Sequence, residues 1–369
     1  MVKNQQIFEV IEKIAPRYLA EKWDNVGLQI GAYHQNTERI LLTLDVTEDV
    51  IYEAIEKNIN LIISHHPFIF NGIKSICVDS GKGRLVSDLI KNNISVYSAH
   101  TNLDSAKLGL NHYIAGQIGL IESKPLDPSP YDRLFKLVIY SPASHTDIIL
   151  KVLGDNGAGY VGKYSHCSFR SVGKGTFKPL EGSHPYLGET EKISTVPEDR
   201  IETIIDDHMA QYLIKKIKNV HPYEEMAYDL FPMDESLTKN ANGLGKIGIL
   251  EKPMDPKRFI EKIKRALDLK SVRTAGKAPK IIKNVALCTG SGSEFIGLAK
   301  IKNADVLVTG DLKYHEAQRA MENHLWVIDA GHFGTEKMVV YQLKDILDSA
   351  FPDMTIKISE NIRDFIEVH

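Results

Sequence analysis

Cysteine is scarce in this sequence, and its scarcity argues against two kinds of site. The 369 residues include three cysteines, Cys77, Cys167 and Cys288, which lie far apart and form no Cys-x-x-Cys pair. An odd number of scattered cysteines does not build a disulfide framework, and it does not supply a thiolate zinc site. We therefore expect a protein of a reducing compartment, the cytoplasm.

Long apolar runs and an excess of one charge are also missing. No stretch approaches the ~20 apolar residues that span a bilayer, and the N-terminus has no apolar signal core. Lysine and arginine number 45 against 48 aspartates and glutamates, a formal net charge of -3, and no block of like charges occurs. The sequence therefore predicts no membrane association, and nucleic acid is not an expected partner.

What the sequence does contain is an alternation of short apolar runs with amphipathic segments. A chain of this length exceeds the usual size of one hydrophobic core, so we expect two or more domains. The first predicted strands cover residues 39–45, 61–64 and 95–99, and the first predicted helices cover residues 48–57, 83–92 and 108–118. This alternation is typical of an α/β domain with a parallel sheet.

A proline-dense segment at residues 125–130 interrupts that alternation. Three prolines in six residues do not continue a helix or a central strand, so we predict a domain boundary there. Beyond it the predicted order is strand, helix, strand, strand, helix, strand, which is the order of a ferredoxin-like α+β unit. The six elements are predicted at residues 135–140, 144–153, 166–172, 192–196, 198–217 and 226–230.

The first alternation resumes after residues 242–245. Strands are predicted near Ile247, Val272, Val285, Val306 and Val327, and helices near Phe259, Ile296, Ala317 and Met338. We therefore predict that residues 131–240 are inserted into a larger α/β domain formed by residues 1–126 and 243–369. Three consecutive domains are the alternative, but neither flank alone carries all the candidate metal ligands described next.

Two adjacent histidines, His65 and His66, directly follow the predicted strand at residues 61–64. Ligands bind open α/β sheets outside the carboxyl ends of the strands, so this position suits a site. Both imidazoles reach one cavity only if the chain bends there, because neighbouring side chains of an extended strand point to opposite faces. The alternative is one buried, hydrogen-bonded histidine next to an unrelated exposed one.

Two further motifs follow other predicted strands. In the first, Asp104 is a candidate anionic ligand and His100 is a candidate hydrogen-bond donor to a ligating carboxylate. Asp104 is equally suited to cap the following segment as a helix. In the second, His332 and Glu336 are four residues apart and face the same side of a helix's first turn. The alternative for this pair is a helix-start carboxylate beside a surface histidine.

Together these motifs predict a metal site, because each lies at the end of a predicted sheet strand. The candidate ligands are His65, His66, Asp104, His332 and Glu336. Three imidazoles and two carboxylates exceed the needs of one four-coordinate ion, which predicts two divalent ions that share a bridging carboxylate. Nitrogen and oxygen donors without thiolate favour zinc, iron or manganese over calcium, and zinc is our first expectation.

Other polar segments have competing interpretations. The turn at residues 289–294 lacks the Lys-Ser/Thr of a phosphate-binding loop and is interpreted as a plain turn, from which Glu294 can still face the metals. Asp311 and His315 are candidates for proton transfer, whereas Asp311 is equally suited to cap a helix. Residues 221–225 are interpreted as a turn and interface element, and residues 23–28 as a rim loop or a turn.

Five motifs carry a resemblance to a known family. They are Trp23-Asp-Asn-Val-Gly-Leu28, Ser64-His-His-Pro67, His100-Thr-Asn-Leu-Asp104, Thr309-Gly-Asp-Leu-Lys-Tyr-His-Glu316 and Gly331-His-Phe-Gly-Thr-Glu336. Through them nearly the whole chain resembles the GTP cyclohydrolase I type 2 homologues, also called the Nif-three-like proteins. The resemblance implies a Nif-three-like α/β domain with a dinuclear metal site on the same five ligands. It also implies an inserted PII-like or CutA-like domain, marked by His221-Pro-Tyr-Glu-Glu225, and a homohexameric ring.

Two functions of different classes follow. The first is a metal-dependent hydrolase acting on a purine nucleotide such as GTP, in which hydroxide attacks the imidazole carbon of the purine and formate is released. His100, Glu294 and His315 are the candidate proton-transfer residues of this reaction. The second is a non-catalytic metal-binding ring whose PII-like domain senses a small molecule or contacts a partner protein. An open coordination position would favour the first function, and closed sites would favour the second.

Overall fold

The computed structural model describes residues 2–234 and 241–367, and the chain divides into two compact units. The larger unit comprises Met1–Ser129 and Ala241–His369, and the smaller unit comprises Pro130–Asn240. Each unit has its own sheets and its own hydrophobic core. Within the described residues, no helix is both long and apolar enough to cross a membrane.

The helices and strands are numbered in chain order. The first segment of the larger unit contains β1 (Val2–Lys3), α1 (Asn4–Ile14), β2 (Gly27–Ile30), β3 (Asn36–Thr37), β4 (Arg39–Thr43), α2 (Glu48–Glu56), β5 (Leu61–Ser64), α3 (Gly81–Lys91), β6 (Ser95–Ser98), α4 (Thr101–Ser105), α5 (Leu110–Ile118) and β7 (Leu120–Pro128). The smaller unit contains β8 (Leu134–Ser141), α6 (Thr146–Asp155), β9 (Ser168–Phe177), β10 (Ser194–Asp206), α7 (Ala210–Lys218) and β11 (Tyr228–Pro232). The second segment of the larger unit contains β12 (Gly243–Met254), α8 (Pro256–Ala266), β13 (Arg273–Ala275), β14 (Ile282–Leu287), α9 (Ile296–Ile301), β15 (Val306–Thr309), α10 (Tyr314–Glu322), β16 (Trp326–Asp329), α11 (His332–Glu336), α12 (Val339–Ala350) and β17 (Thr355–Ile358).

Strands β4, β5 and β6 are the parallel centre of a five-stranded sheet with the order β17-β4-β5-β6-β2. β17 also runs parallel to β4, and β2 runs antiparallel to β6. Every residue of β5 and β6 is buried, and the core on one side of the sheet includes Leu41, Ile62 and Val96. Apolar strands that are covered on both faces are typical of parallel sheets, so the three strands predicted here are confirmed.

Strands β14, β15 and β16 are the parallel centre of a second sheet, with the order β13-β16-β15-β14-β12-β7. β13, β12 and β7 each run antiparallel to their neighbours. The helices α9 and α10 connect the three parallel strands, as α2 and α3 do in the first sheet. The two segments of the larger unit therefore each contribute one strand-helix-strand-helix-strand series, as the sequence predicts.

The proline-dense segment forms the end of an edge strand, which agrees with the expectation that it does not continue a central strand. β7 extends to Pro128 and lies at the edge of the six-stranded sheet, next to β12. Proline is tolerated in an edge strand because one side of that strand has no neighbour that needs an N–H donor. Pro125 and Pro128 therefore belong to the sheet, and the division between the units falls at Ser129 and Pro130.

The smaller unit contains a four-stranded antiparallel sheet with the order β11-β8-β10-β9. Its elements follow each other as strand, helix, strand, strand, helix, strand. The core is formed by Leu137 and Ile139 of β8, Ile201 of β10, Ile149 of α6 and Leu213 of α7. This unit is therefore held together by side chains from both its helices and its sheet.

The helix predicted at residues 198–217 is wrong over its first half. The strand β10 continues to Asp206, and α7 begins at Ala210. Ile201, Thr203 and Ile205 are all buried, which is the two-residue spacing of a strand with one face on the core. Pairing with β8 on one side and with β9 on the other fixes these residues as a strand.

Candidate metal centre

The five candidate ligands lie together where the parallel strands of the two sheets end. His65 and His66 follow β5, Asp104 lies on α4 after β6, and His332 and Glu336 lie on α11 after β16. The carboxyl ends of parallel strands are the usual position of ligand sites in α/β sheets. Here two such edges meet, and each contributes side chains to one cluster.

The chain bends at His65 and His66, so that both imidazoles join the cluster. The hydroxyl of Ser64 donates a hydrogen bond to the carbonyl oxygen of His66 at 2.8 Å, and the N–H of His66 donates to the carbonyl oxygen of Leu44 at 3.0 Å. The two ring centroids are 5.3 Å apart. The two rings are therefore neighbours, although the residues are adjacent at a strand end.

Asp104 lies inside the short helix α4 and does not cap a helix. The capping residue of α4 is His100, and that of the next helix, α5, is Gly109. The Oδ1 atom of Asp104 accepts a hydrogen bond from Oγ1 of Thr289 at 3.2 Å, and its Oδ2 atom lies 3.7 Å from Nε2 of His65. The carboxylate is therefore directed into the cluster.

Glu336 lies between two sets of donors, and its two oxygens face different partners. Oε2 lies 2.9 Å from Nε2 of His66 and 2.9 Å from Nε2 of His332. Oε1 lies 3.9 Å from Nε2 of His65. The same Nε2 atom lies 3.7 Å from Oδ2 of Asp104. A carboxylate that is divided in this way has the arrangement of a ligand bridging two ions.

Each of the three cluster histidines has its Nδ1 atom hydrogen-bonded to an acceptor outside the cluster. His65 is bonded to the carbonyl oxygen of Ala99, His66 to Oδ1 of Asp45, and His332 to Oδ2 of Asp311. Each of these three hydrogen bonds is 2.8 Å long. Because all three partners are acceptors, Nδ1 carries the proton and Nε2 faces the cluster. Partners of this kind orient the ligating histidines of metalloproteins.

The Nε2 atom of His65 has the environment of a metal ligand. It is buried and has no hydrogen-bond partner among the described residues, since the carboxylate oxygens at 3.7 and 3.9 Å are too distant. Leaving such an atom unpaired costs about 1–3 kcal/mol. Two ligands of one ion lie at most ~4.2 Å apart when each is ~2.1 Å from it, so both distances fit a shared ion. The donor atoms of His66, His332 and Glu336 also lie within 4.8 Å of one another.

The charges of the cluster depend strongly on each other. Burial lowers the pKa of His65 to about 3, which leaves this imidazole neutral. Burial also opposes the charge on His66, but hydrogen bonds with Asp45 and Glu336 raise its pKa to about 10. The hydrogen bond with Glu336 raises the pKa of His332 to about 9. Burial alone would raise the pKa of Glu336, but the bonds from these two histidines hold it low. Without a metal, protons therefore lie between Glu336 and both histidines.

The cluster opens onto a cavity of about 760 Å³. His66, Asp104 and His332 are among the residues that line it. Other lining residues are the aromatic Trp23, Phe70 and Phe295 and the acidic Glu21, Asp45, Asp127 and Glu294. No lysine or arginine occurs among the described lining residues. The cavity has the size of a small-molecule site and a surplus of carboxylates.

His100 lies beside the cluster and is held by a carboxylate of its own. Its ring centroid is 5.2 Å from that of His65 and 5.5 Å from that of His66, and the three offer donor atoms within 4.8 Å of one another. Nδ1 of His100 bonds to Oδ1 of Asp24 at 3.0 Å. Burial opposes the charge of Asp24, but hydrogen bonds from His100 and Thr101 outweigh it and lower the pKa of this carboxyl. His100 is therefore fixed where it can transfer a proton.

The other two candidate proton-transfer residues differ in their positions. Glu294 lies in the turn Ser293–Phe295, and its side chain lines the cavity. His315 lies in the first turn of α10, is exposed, and packs its ring against Tyr314 at a centroid distance of 5.4 Å. It is not among the described residues that line the cavity, so the structure does not bring it to the site. From the same motif, Asp311 is the residue that reaches the cluster, through His332.

Two carboxylates that orient the histidines, Asp45 and Asp24, are not predicted as site residues from the sequence. From the sequence, Asp45 is predicted as the end of a strand and Asp24 as part of a turn or rim loop. Asp45 lies two residues beyond the end of the parallel strand β4, so the rule that selects His65 and His66 at the end of β5 also applies to it. Asp24 gave no comparable signal, because it lies before the edge strand β2 and meets His100 only in the folded chain.

The turn at residues 289–294 packs against the helix that carries Glu336. The N–H of Gly290 donates a hydrogen bond to Oγ1 of Thr335 at 2.9 Å. Gly290 has a φ of +62°, and a Cβ atom at this position would lie 2.2 Å from Oε1 of Glu336. Glycine is therefore required here so that the backbone can approach the carboxylate. This role agrees with a structural turn.

The chain matches a family profile over nearly its whole length. A sequence profile of the family described as Duf34/NIF3 (NGG1p interacting factor 3) matches residues 2–364. The chain belongs to the Duf34/NIF3 family. Among its relatives, the GTP cyclohydrolase 1 type 2 homolog of Bacillus subtilis (strain 168) is 42% identical over 337 residues, which cover 91% of this chain and 90% of the relative. The protein of the same name from Halalkalibacterium halodurans is 39% identical, over 96% of this chain and 94% of the relative.

Solved structures of NIF3 relatives have a similar fold. A Bacillus cereus protein related to NIF3 aligns with a TM-score of 0.75 and 41% identity, covering 100% of this chain and 99% of its own. Staphylococcus aureus protein SA1388 aligns with a TM-score of 0.77 and 30% identity, again over 100% and 99%. The mixed α/β fold described above is therefore shared with NIF3 relatives over the full length of the chain.

Proposed function

We propose that this NIF3 protein binds two divalent metal ions and uses them to hydrolyse a purine nucleotide such as GTP. The observation that carries the proposal is the position of the Glu336 carboxylate between two sets of donors. Oε2 faces His66 and His332, and Oε1 faces His65, which is also close to Asp104. Each set offers the nitrogen and oxygen donors that zinc, iron and manganese prefer, and zinc is the first expectation. Few protein donors per ion leave positions open for water and substrate.

Bound ions of this kind lower the pKa of a coordinated water and so supply hydroxide near neutral pH. The relatives' printed name, GTP cyclohydrolase 1 type 2 homolog, suggests purine nucleotides as the first substrate class to test. The cavity of about 760 Å³ has room for such a molecule, and Trp23 and Phe70 offer aromatic faces to a purine ring. Because the lining itself has a surplus of carboxylates, binding of the phosphates would depend on the positive charge of the two ions. Hydrolysis of the imidazole ring of the purine would use two waters, the first to open the ring and leave an N-formyl group and the second to release that group as formate.

The chain's own residues would orient the substrate and move protons. His100, held by Asp24, faces the cluster and is our first candidate for proton transfer. Glu294 lines the same cavity and is the second. His315 is exposed on α10, so its position does not support a role in proton transfer. The reaction would therefore depend on His100 more than on His315.

A non-catalytic metal-binding ring is the second candidate function. It is favoured by the smaller unit, whose element order and sheet order match a ferredoxin-like domain and which contains a cavity of its own. In this proposal the smaller unit is a PII-like or CutA-like sensing domain, and the metals organise the cavity of a cytoplasmic homohexamer. The two candidates differ in whether metal-loaded protein turns over a substrate.

The test is formate release from GTP by metal-loaded protein, compared with the variant His66→Ala. The hydrolase predicts turnover that falls by at least ~100-fold in this variant, because a ligand of the metal has been removed. His34→Ala, an exposed histidine outside the cluster and the cavity, is the matched control. Equal rates for His66→Ala and the unmodified protein would exclude the hydrolase. Absence of turnover in fully metal-loaded protein would favour the non-catalytic ring.

A further inference from the structure

A second cavity, of about 530 Å³, lies entirely within the smaller unit. The segment at residues 221–225 forms one of its walls through Tyr223, Glu224 and Glu225. From the sequence, this segment is interpreted as a turn and interface element. In the folded chain its side chains instead line a cavity that contains none of the metal-cluster residues.

Aromatic rings form much of this second cavity. Tyr223 lies between two others, with its ring centroid 6.3 Å from that of Phe177 and 6.3 Å from that of Tyr186. The rings are tilted against each other by 53° and 49°, so they do not stack. Tyr223 also makes an edge contact with the ring of His221 at 5.1 Å, and Tyr186 with that of His145 at 5.7 Å. Tyr140 contributes a fourth ring to the lining. Such a set of aromatic faces attracts cations through the electrons of the rings.

Carboxylates complete the lining and give it a negative charge. Glu198, Glu224 and Glu225 all line the cavity. The lining has one cationic side chain among the described residues, Lys178, and its ammonium group is 2.7 Å from a carboxylate oxygen of Glu191 outside the lining. Three carboxylates therefore face a cavity whose cation is already paired. This balance disfavours an anionic ligand and favours a positively charged one.

The carboxylate of Glu198 accepts one hydrogen bond and lies close to a glycine. The hydroxyl of Tyr223 donates a hydrogen bond to its Oε1 atom at 2.8 Å. On the other side lies Gly175, where a Cβ atom would be 2.0 Å from Oε2 of Glu198. The absence of a side chain at Gly175 therefore lets the carboxylate lie against the strand β9. A charged group and an aromatic ring are thus fixed next to each other.

We propose that this cavity binds a small alkylammonium cation, with the ammonium group against the rings of Tyr186 and Tyr223 and close to the carboxylate of Glu198. Rings and carboxylates both favour positive charge, and neither favours a neutral ligand of the same shape. The cavity has room for a molecule of the size of choline or a short amine. This binding site is independent of the proposed hydrolysis, because none of its residues belongs to the metal cluster.

Isothermal titration of the full-length protein with choline tests the proposal, and 3,3-dimethylbutanol is the neutral molecule of the same shape. We expect saturable binding of choline, at least about tenfold tighter than that of the alcohol, because a desolvated cation gains ~1–2 kcal/mol from aromatic faces. A lysine amide serves as a third ligand. Tighter binding of that amide would still support the site, with the ammonium group on a polypeptide. Equal binding of choline and the alcohol, or no binding of any ammonium ligand, would overturn it.

Variants then assign the binding to these residues. Tyr186→Ala and Glu198→Gln should each weaken choline binding by roughly fivefold or more, and Tyr186→Phe should retain it because the ring remains. Tyr164→Ala is the matched control, since Tyr164 is 73% exposed and lies outside the cavity. Thermal unfolding of each variant shows whether the unit is folded. Equal losses in Tyr186→Phe and Tyr186→Ala, or a loss in Tyr164→Ala, would contradict the assignment.

Discussion

Asp45 accepts a hydrogen bond from Nδ1 of His66 at 2.8 Å, across the ends of the adjacent parallel strands β4 and β5. The same relationship recurs in the second sheet, where Asp311 after β15 and His332 after β16 are also 2.8 Å apart. Both pairs are separated by 21 residues in the sequence. The two strand-helix series of the larger unit therefore each supply one carboxylate-histidine pair, and both histidines meet Glu336.

Asp45→Asn and Asp311→Asn should each weaken metal binding by about 10–100-fold. Each substitution removes the charged acceptor that holds Nδ1 of a ligating histidine, and partners of this kind typically contribute to that extent. Competition with a chromogenic chelator measures the dissociation constant. Asp348→Asn, which alters an exposed ion pair with Lys344, is the matched control. Unchanged affinity in both test variants would show that these carboxylates do not orient ligands.

Glu336→Gln and Asp104→Asn should differ in how much metal they lose. If Glu336 bridges both ions, its substitution should reduce metal from about two equivalents per chain to nearly none, whereas Asp104→Asn should leave about one. Elemental analysis of protein purified without added metal gives these numbers. Glu322→Gln, at an exposed position on α10, should retain the metal content of the unmodified protein. Equal metal content in Glu336→Gln and the unmodified protein would exclude the site.

Metal binding should release protons and strengthen as pH rises between about pH 6 and 8. Without metal, His66 and His332 have pKa values of about 10 and 9, so both are protonated in this range. Ligating histidines must be neutral, and Asp104, whose pKa burial raises to about 7, must be ionised. About two protons therefore leave above pH 7 and up to three below it, so affinity should rise by ~100-fold per pH unit or more. Titration calorimetry in buffers of different ionisation enthalpy counts these protons. Affinity that does not change with pH would contradict this coupling.

Gly290→Ala should disturb the cluster, whereas Gly297→Ala should not. A Cβ atom at Gly290 would lie 2.2 Å from Oε1 of Glu336, and the φ of +62° is already unfavourable for alanine. Gly297 lies in α9 with nothing within 4 Å of a Cβ atom, so alanine there should add about 0.5–1 kcal/mol of stability. Metal content and thermal unfolding distinguish the two. Full metal content in Gly290→Ala would disprove the close approach.

His100→Ala should reduce any hydrolytic rate by roughly 100-fold or more while metal content is retained, since the residue would move protons. His315→Ala should have the smaller effect, because His315 is exposed on α10 and does not line the cavity. Steady-state formate release measures both rates. A loss in His315→Ala as large as that in His100→Ala would contradict the placement of these two residues.

The parallel strands were predictable because their sequences allow few alternatives. Residues 61–64 are Leu-Ile-Ile-Ser, and all four are buried between helices and sheet neighbours. The same reasoning brought His65 and His66 to a strand end, where the chain could be expected to bend toward a site. Much of the cluster could therefore be predicted, because sheet geometry brings the strand ends together.

The sequence could not distinguish helix from strand at residues 198–206. Arg200-Ile201-Glu202-Thr203-Ile204-Ile205 has apolar residues at spacings that suit either structure. The strand is favoured by its pairing with β8 and β9, which are distant contacts that no local pattern contains. For the same reason the bond between Asp24 and His100, 76 residues apart, could be seen only in the folded chain.

The smaller unit connects two antiparallel strands that are hydrogen-bonded up to its borders. Pro128 of β7 pairs with Gly243 of β12, and the N–H of Ser129 donates to the carbonyl oxygen of Asn242 at 3.0 Å. In terms of topology, the whole unit takes the place of a hairpin loop. Because the chain leaves and re-enters the sheet at the same point, gain or loss of the unit would not shift the register of β7 and β12. Removal of the unit should therefore leave intact the sheet that leads, through β16, into α11 and its candidate ligands.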